Sequence, residues 1–231
     1  MGPAGDPSMT MGKLLSPATN SGLLGLVSRT VAAARANGSQ ARMTECNTVW
    51  NGGQSGVSDA FGSSLWAADL MFSLADSGMT GVNFHGGVGG NCYTPIYYSP
   101  KVSAKPEYYG ILFFKYGAKG RFVRANLSDA SANVGAYAMQ CGSDSMRIAI
   151  INKDSLFDYS VMVNGVPYSG QGSLIRLIAP SLGAKTGLSF GGDSVTTTRQ
   201  WTPTSFEAVT RPSISSGYAV TVPAVIVTIR K

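Results

Sequence analysis

Histidine occurs once, at His85, and cysteine three times, at Cys46, Cys92 and Cys141, in 231 residues. So few imidazoles and thiols leave little for a multi-ligand zinc site, and no metal or cofactor is expected. The count also excludes a disulfide scaffold, which needs dense cysteine in a short chain. Charged side chains make up only 13% of the sequence, against roughly 25% in an average domain. The net charge of +6 comes from thinly spread Lys and Arg, whose longest run is Arg230-Lys231. A nucleic-acid partner would call for a dense basic stripe, and none is expected here. No run of ~18 apolar residues occurs, so no membrane-spanning helix is expected. The opening stretch Gly2-Pro3-Ala4-Gly5-Asp6-Pro7 has neither the basic start nor the apolar centre of a signal peptide. It reads as a loop inside a larger protein, and localisation stays open. What is abundant is apolar and small: 44% hydrophobic residues, 10% aromatics and 29 glycines. That composition excludes global disorder and suffices for a sizeable core.

Two sequence styles meet near residue 118, predicting domains at 1–118 and 119–231. In the first, Leu24, Val27, Val31 and Ala34 recur at helical spacing and Gly38 follows as a stop. The strand-length run Ala41–Cys46 comes next. Ser58 reads as the N-cap of a second helix with Asp59 in its first turn. Val57, Phe61, Leu65, Ala68 and Phe72 share one face of that helix, and Gly78 ends it. A second short strand covers Thr80–His85, and a third helix starts near Pro106. Helices alternating with short strands predict parallel βα units. The stretch 86–105 between them is long for a loop and reads as an ordered, functional one. Beyond Gly120, short runs at Arg121–Leu127, Ala136–Cys141, Met146–Asn152, Tyr159–Val163, Leu174–Ile178, Tyr218–Thr221 and Ala224–Ile229 are separated by turn signals such as Asn164-Gly165. This spacing predicts an antiparallel β-sandwich.

Glutamate occurs only at Glu45, Glu107 and Glu207. Glu107 sits at a helix start, where a carboxylate complements the dipole, and Glu207 lies in the β-rich part. Glu45 falls at the C-terminal end of a short parallel strand, the face that carries active sites in βα architectures. It is either catalytic or a structural carboxylate paired with an arginine. His85 takes the matching position on the next strand and is either a structural residue or part of the same mouth. A Ser-His-Asp triad is formally possible but disfavoured. Gly86-Gly87-Val88-Gly89-Gly90 has a phosphate-loop composition but lacks the G-K-[ST] ending. Cys46 reads as a small buried hydrophobe, and a Cys46–Cys92 bridge is conceivable.

The blocks RMTECNTVWNGG (Arg42–Gly53), SDAFGSSLWAADLMFSLA (Ser58–Ala75) and GVNFHGG (Gly81–Gly87) resemble glycoside hydrolase family 79, which holds β-glucuronidases and heparanase-like enzymes. Ile150–Asp154 and Val222-Pro223-Ala224 extend the resemblance into the second part. It implies a fold made of the last quarter of a (β/α)8 barrel, with strands seven and eight, followed by the β-sandwich. It implies a retaining glycosidase acting on a uronic-acid glycoside, with Glu45 as the nucleophile. Uronate binding then falls to Tyr93 and the amides near Gly89 and Gly90, with Asn47, His85 and Trp50 lining the site. Trp50 stands where a hydroxyl-bearing tyrosine is expected, and indole donates only through its N–H. Members of the family are commonly secreted or periplasmic.

The family's acid/base belongs to an Asn-Glu pair, and no Asn-Glu occurs here. Retention needs two carboxyl groups ~5–5.5 Å apart, so the chain alone is expected to be inactive, with the earlier barrel strands on preceding polypeptide. The alternatives are a truncated product whose β-sandwich is a structural or carbohydrate-contacting module, or a related retaining glycosidase for a neutral sugar.

Overall fold

A helix that is apolar on every side can only be stable when surrounded, and Phe61–Phe72 is buried without a break. The structure, a computed structural model, describes residues 1–87, 89–168, 170–198, 200–211, 217–222 and 224–230, with backbone alone at 222 and 224–226. Val88, Pro223 and Lys231, each part of a stretch singled out in the sequence, lie outside the described residues. The chain forms two compact units, Met1–Phe114 with Ala179–Gly187, and Lys115–Ile178 with Leu188–Lys231. Among the described residues no helix is long and apolar enough to cross a membrane.

The first unit opens with α1 (Met11–Leu15) and α2 (Pro17–Ala36), then β1 (Met43–Cys46), α3 (Phe61–Asp76) and β2 (Val82–Phe84). β1 and β2 pair in parallel, Met43 opposite Val82 and Cys46 opposite Phe84. Parallel neighbours need a crossover, and α3 supplies it, with the Trp66 ring edge-on to Phe84 at 5.9 Å. Both long helices stop as their glycines predict. Gly38 and Gly78 take φ of 65° and 95°. The amides of Ser39 and Met79 then reach back to the carbonyls of Ala34 and Leu74 at 2.9 Å, the paired closure that a left-handed residue after a helix permits.

The start of α3 differs from the sequence expectation. Its N-cap is Ala60, with no side-chain cap. Ser58 is buried three residues before the helix proper, and its Oγ accepts from the Gln54 amide at 2.9 Å and from Thr48 Oγ1 at 2.7 Å. Asp59 meets Lys185 at 2.7 Å. The free amides of the first turn are satisfied from a distant segment: Phe61 N donates to Ala184 O at 2.8 Å and Gly62 N to Leu182 O at 2.9 Å. These bonds explain why Ala179–Gly187, inside the range expected for the second domain, belongs to the first unit.

The stretch 86–105 contains the hairpin β3 (Ile96–Tyr98) and β4 (Val102–Ala104), paired antiparallel. α4 (Pro106–Gly117) follows and crowds α3. Phe72 of α3 stands edge-on to Phe113 at 6.2 Å and to Phe114 at 4.9 Å. Gly110 is the point of closest approach, since a Cβ there would lie 2.3 Å from the Ser64 carbonyl oxygen.

In the second unit β5 (Arg121–Val123), β6 (Val134–Cys141), β7 (Ser145–Asn152), β9 (Gly172–Ile178), β10 (Ser189–Phe190) and β13 (Ala224–Arg230) join β11 (Glu207–Val209) in a seven-stranded sheet. Its pairings are antiparallel and its order is β10-β9-β13-β7-β6-β5, with β11 also on β9. β8 (Tyr159–Val163) and β12 (Tyr218–Val222) form a separate antiparallel pair. Ile148, Ile150, Leu174, Val227 and Ile229 of the large sheet share one buried cluster with Tyr218 and Val220 of the pair. On the first unit's side of the chain, the two parallel strands stand without a closed barrel among the described residues.

Candidate functional site

Because β1 and β2 run in parallel, their C-terminal ends lie side by side, and the residues that follow both strands meet there. His85 N donates to Cys46 O at 2.9 Å, carrying the ladder past the last paired residues. Asn47 is the hub. Its Oδ1 accepts from the Thr48 amide at 2.6 Å. Its Nδ2 lies 2.6 Å from His85 O, 3.4 Å from Tyr93 O and 3.4 Å from Glu107 Oε2. One side-chain amide therefore ties together a strand tip, a loop and a helix start. Tyr93, only 5% exposed, closes the cluster through its hydroxyl, 2.8 Å from His85 Nδ1, with the two rings edge-on at 5.6 Å.

The loop after β1 packs on the loop that carries Tyr93. Cys92 N donates to Gly52 O at 2.7 Å. Gly53 has φ of 83°, and a Cβ there would sit 2.9 Å from Tyr93 N. Only glycine accommodates both the backbone and the approach.

Three of the residues singled out in the sequence, Asn47, His85 and Tyr93, are thus in one hydrogen-bonded group. Glu45 is exposed on β1 and makes no ion pair among the described residues. Trp50 is 56% exposed, with its backbone held by Gly2 O at 3.3 Å and Ala4 N at 2.9 Å. Gly89 and Gly90 are exposed, with open space where a side chain would be. No hydrogen bond links Glu45, Trp50, Gly89 or Gly90 to the Asn47 group among the described residues. The three cysteines are free thiols, so Cys46 and Cys92 are not bridged. Among the described residues no group of three or more His, Cys, Asp and Glu is placed to hold a metal ion.

In the sequence Glu107 has the place of a dipole-complementing residue at a helix start. The structure buries it to 1% exposure and leaves its Oε1 without a hydrogen-bond partner. Burial pushes its carboxyl up to about 8, only partly opposed by the Asn47 bond. Burial also pushes the Cys46 thiol up to about 11, with the Glu107 charge adding to it. A signal for this was present: Glu107 shares a helical face with Gly110, Ile111 and Phe114 at spacings of three, four and seven. That face packs on α3. Glu207, by contrast, is an ordinary surface partner, held by Arg176 through Nε at 2.5 Å and Nη2 at 2.8 Å.

The chemistry on offer is an exposed carboxylate at Glu45, an exposed indole at Trp50 and a hydrogen-bonded polar group around Asn47. A β-glucuronidase of Aspergillus niger is 26% identical over 177 residues, which covers 64% of this chain and 32% of the relative. A 4-O-α-L-rhamnosyl-β-D-glucuronidase of Fusarium oxysporum, solved with Rha-GlcA, superposes with a TM-score of 0.78 at 19% identity. The chain has the fold of half that enzyme. The superposition takes in 99% of this chain and 52% of the other. An α-L-arabinofuranosidase of Thermotoga maritima, solved with arabinose, gives 0.69 at 13% identity, over all of this chain and 52% of its own. The chain thus spans about half of these structures and about a third of the curated relative. No family model matches the sequence.

Proposed function

We propose that this chain is the C-terminal portion of a retaining glycoside hydrolase of the β-glucuronidase kind, related to family 79, with Glu45 as its nucleophile. Residues 1–118 would be the last part of a (β/α)8 barrel, with β1 and β2 as strands seven and eight, and residues 119–231 a β-sandwich. The single observation that carries the reading is the placement of Glu45. It is solvent-facing at the C-terminal end of a parallel strand and free of any ion pair among the described residues. The fold likeness over 99% of the chain to a glucuronidase supports it.

In this mechanism a Glu45 carboxylate oxygen bonds to the anomeric carbon as the glycosidic bond breaks. An acid elsewhere protonates the leaving oxygen, and water later cleaves the glycosyl ester, releasing the sugar and restoring the carboxylate. Glu107 cannot serve as that acid from its buried position, and Glu207 is committed to Arg176. The acid/base then comes from polypeptide beyond these 231 residues. Trp50 offers an apolar face for the sugar ring, and the Gly89 and Gly90 amides are exposed donors suited to a uronate carboxylate. Tyr93 is buried in the same loop, with its hydroxyl engaged by His85.

The test uses the complete enzyme and a 2-deoxy-2-fluoro-glucuronide with a good leaving group. Mass spectrometry should find the sugar esterified to Glu45, and Glu45→Gln should abolish turnover while melting like the parent. A label on another residue, or near-normal kcat in Glu45→Gln, removes Glu45 from the role. Faster trapping by the corresponding glucoside would move the substrate to a neutral sugar.

A further inference from the structure

The buried carboxyl below the strand tips has no part in the mechanism above. Its Oε2 faces Asn47 Nδ2 at 3.4 Å, its Oε1 has no partner, and it makes no ion pair among the described residues. An ionised carboxylate so placed is costly, because nothing replaces the water it has lost. Asn47 Nδ2 carries two protons but faces three acceptors: His85 O, Tyr93 O and Glu107 Oε2. How those two protons are shared depends on the charge of Glu107. A neutral carboxyl is a weak competitor and leaves His85 O the short bond at 2.6 Å. A charged acceptor takes the stronger bond and draws the amide away from the strand tip.

We propose that Glu107 is a positioning residue that keeps its proton in the folded protein and, in that form, lets Asn47 clamp the backbone of His85 and the loop of Tyr93 at the ends of β1 and β2. Ionisation of Glu107 loosens the clamp. Burial, which holds the carboxyl up to about 8, places that event within reach of ordinary buffers. Among the described residues the Cys46 thiol on β1 feels its charge, and beyond Asn47 lie His85 after β2 and Tyr93 in the loop, held to that amide through their backbone carbonyls. On α3 the buried Asp69 is bonded by Asn20 of α2. The inference goes beyond the glycosidase reading, and its test needs no turnover.

The composition makes that test simple, since the chain has three glutamates and one histidine. With the full chain labelled with ¹³C at the glutamate carboxyls, one resonance should titrate near 8, while that of Glu207, held by Arg176, should titrate below the usual carboxylate range. Glu45→Gln and Glu207→Gln, both at exposed positions, assign the other two resonances by loss. In the same samples the His85 imidazole nitrogens should show an inflection that tracks the high carboxyl. That inflection should vanish in Glu107→Gln. The absence of any glutamate carboxyl titrating near 8 overturns the proposal without any change at Glu107 itself. So does the absence of that inflection in the parent, or its persistence in Glu107→Gln, which would assign it to another group.

Discussion

Asn47 Nδ2 stands 3.4 Å from Glu107 Oε2, joining the end of the first parallel strand to the first turn of the last helix of the unit. Sixty residues of chain separate the two partners. A buried acid therefore touches the residue that directly follows the strand carrying Glu45, and with the clamp proposed above stability depends on that acid's proton.

The sign of that dependence follows from the raised carboxyl. Below 4.5 the group is protonated whether the chain is folded or not. Between 4.5 and about 8 the unfolded chain has lost the proton and the folded one keeps it, so stability falls as pH rises. Above about 8 both states are ionised and the loss is complete. The full slope is ~1.4 kcal/mol per pH unit, giving a total of several kcal/mol. Urea unfolding followed by helical circular dichroism reports this unit, where most of the helix lies. Glu107→Gln should flatten the slope across the window, and an unchanged slope in the variant would assign it to another group.

Gly110→Ala tests the α3–α4 contact. Alanine favours an isolated helix by ~1 kcal/mol, but its Cβ would lie 2.3 Å from the Ser64 carbonyl oxygen and 3.0 Å from its carbon. That neighbour is backbone, so the helices must part, at a cost of ~1–3 kcal/mol. Thermal unfolding should show a lower Tm, and a higher one would mean that the two helices are not packed this closely.

Two glycines of one loop separate backbone strain from crowding. Gly53 and Gly56 have φ of 83° and 79°, so alanine is strained at both, by ~1 kcal/mol. Only at Gly53 does the new Cβ also meet Tyr93 N at 2.9 Å and Cys92 Cβ at 3.0 Å, whereas Gly56 faces open space. Gly53→Ala should cost clearly more in denaturant melts and should shift the Tyr93 and His85 resonances. Equal losses would refute the packing of the two loops.

Local patterns in the chain determined the helices around Val27 and Phe72 with their glycine stops, the short strands at 43–46 and 82–84, and seven strands of the second unit, but not the short β10 and β11. Each rests on periodicity, capping or turn chemistry, which act over a few residues and are written in order along the sequence. Tertiary structure alone decided the rest. The amides that open α3 take carbonyls from residues 182 and 184, some 120 positions away. Ser58 becomes a buried turn residue, and the hairpin at 96–104 forms inside an expected loop. Glu107 obeys the local rule for a helix start, yet the packing of its face on α3 takes away its water, and desolvation is a property of the surroundings rather than of the residue.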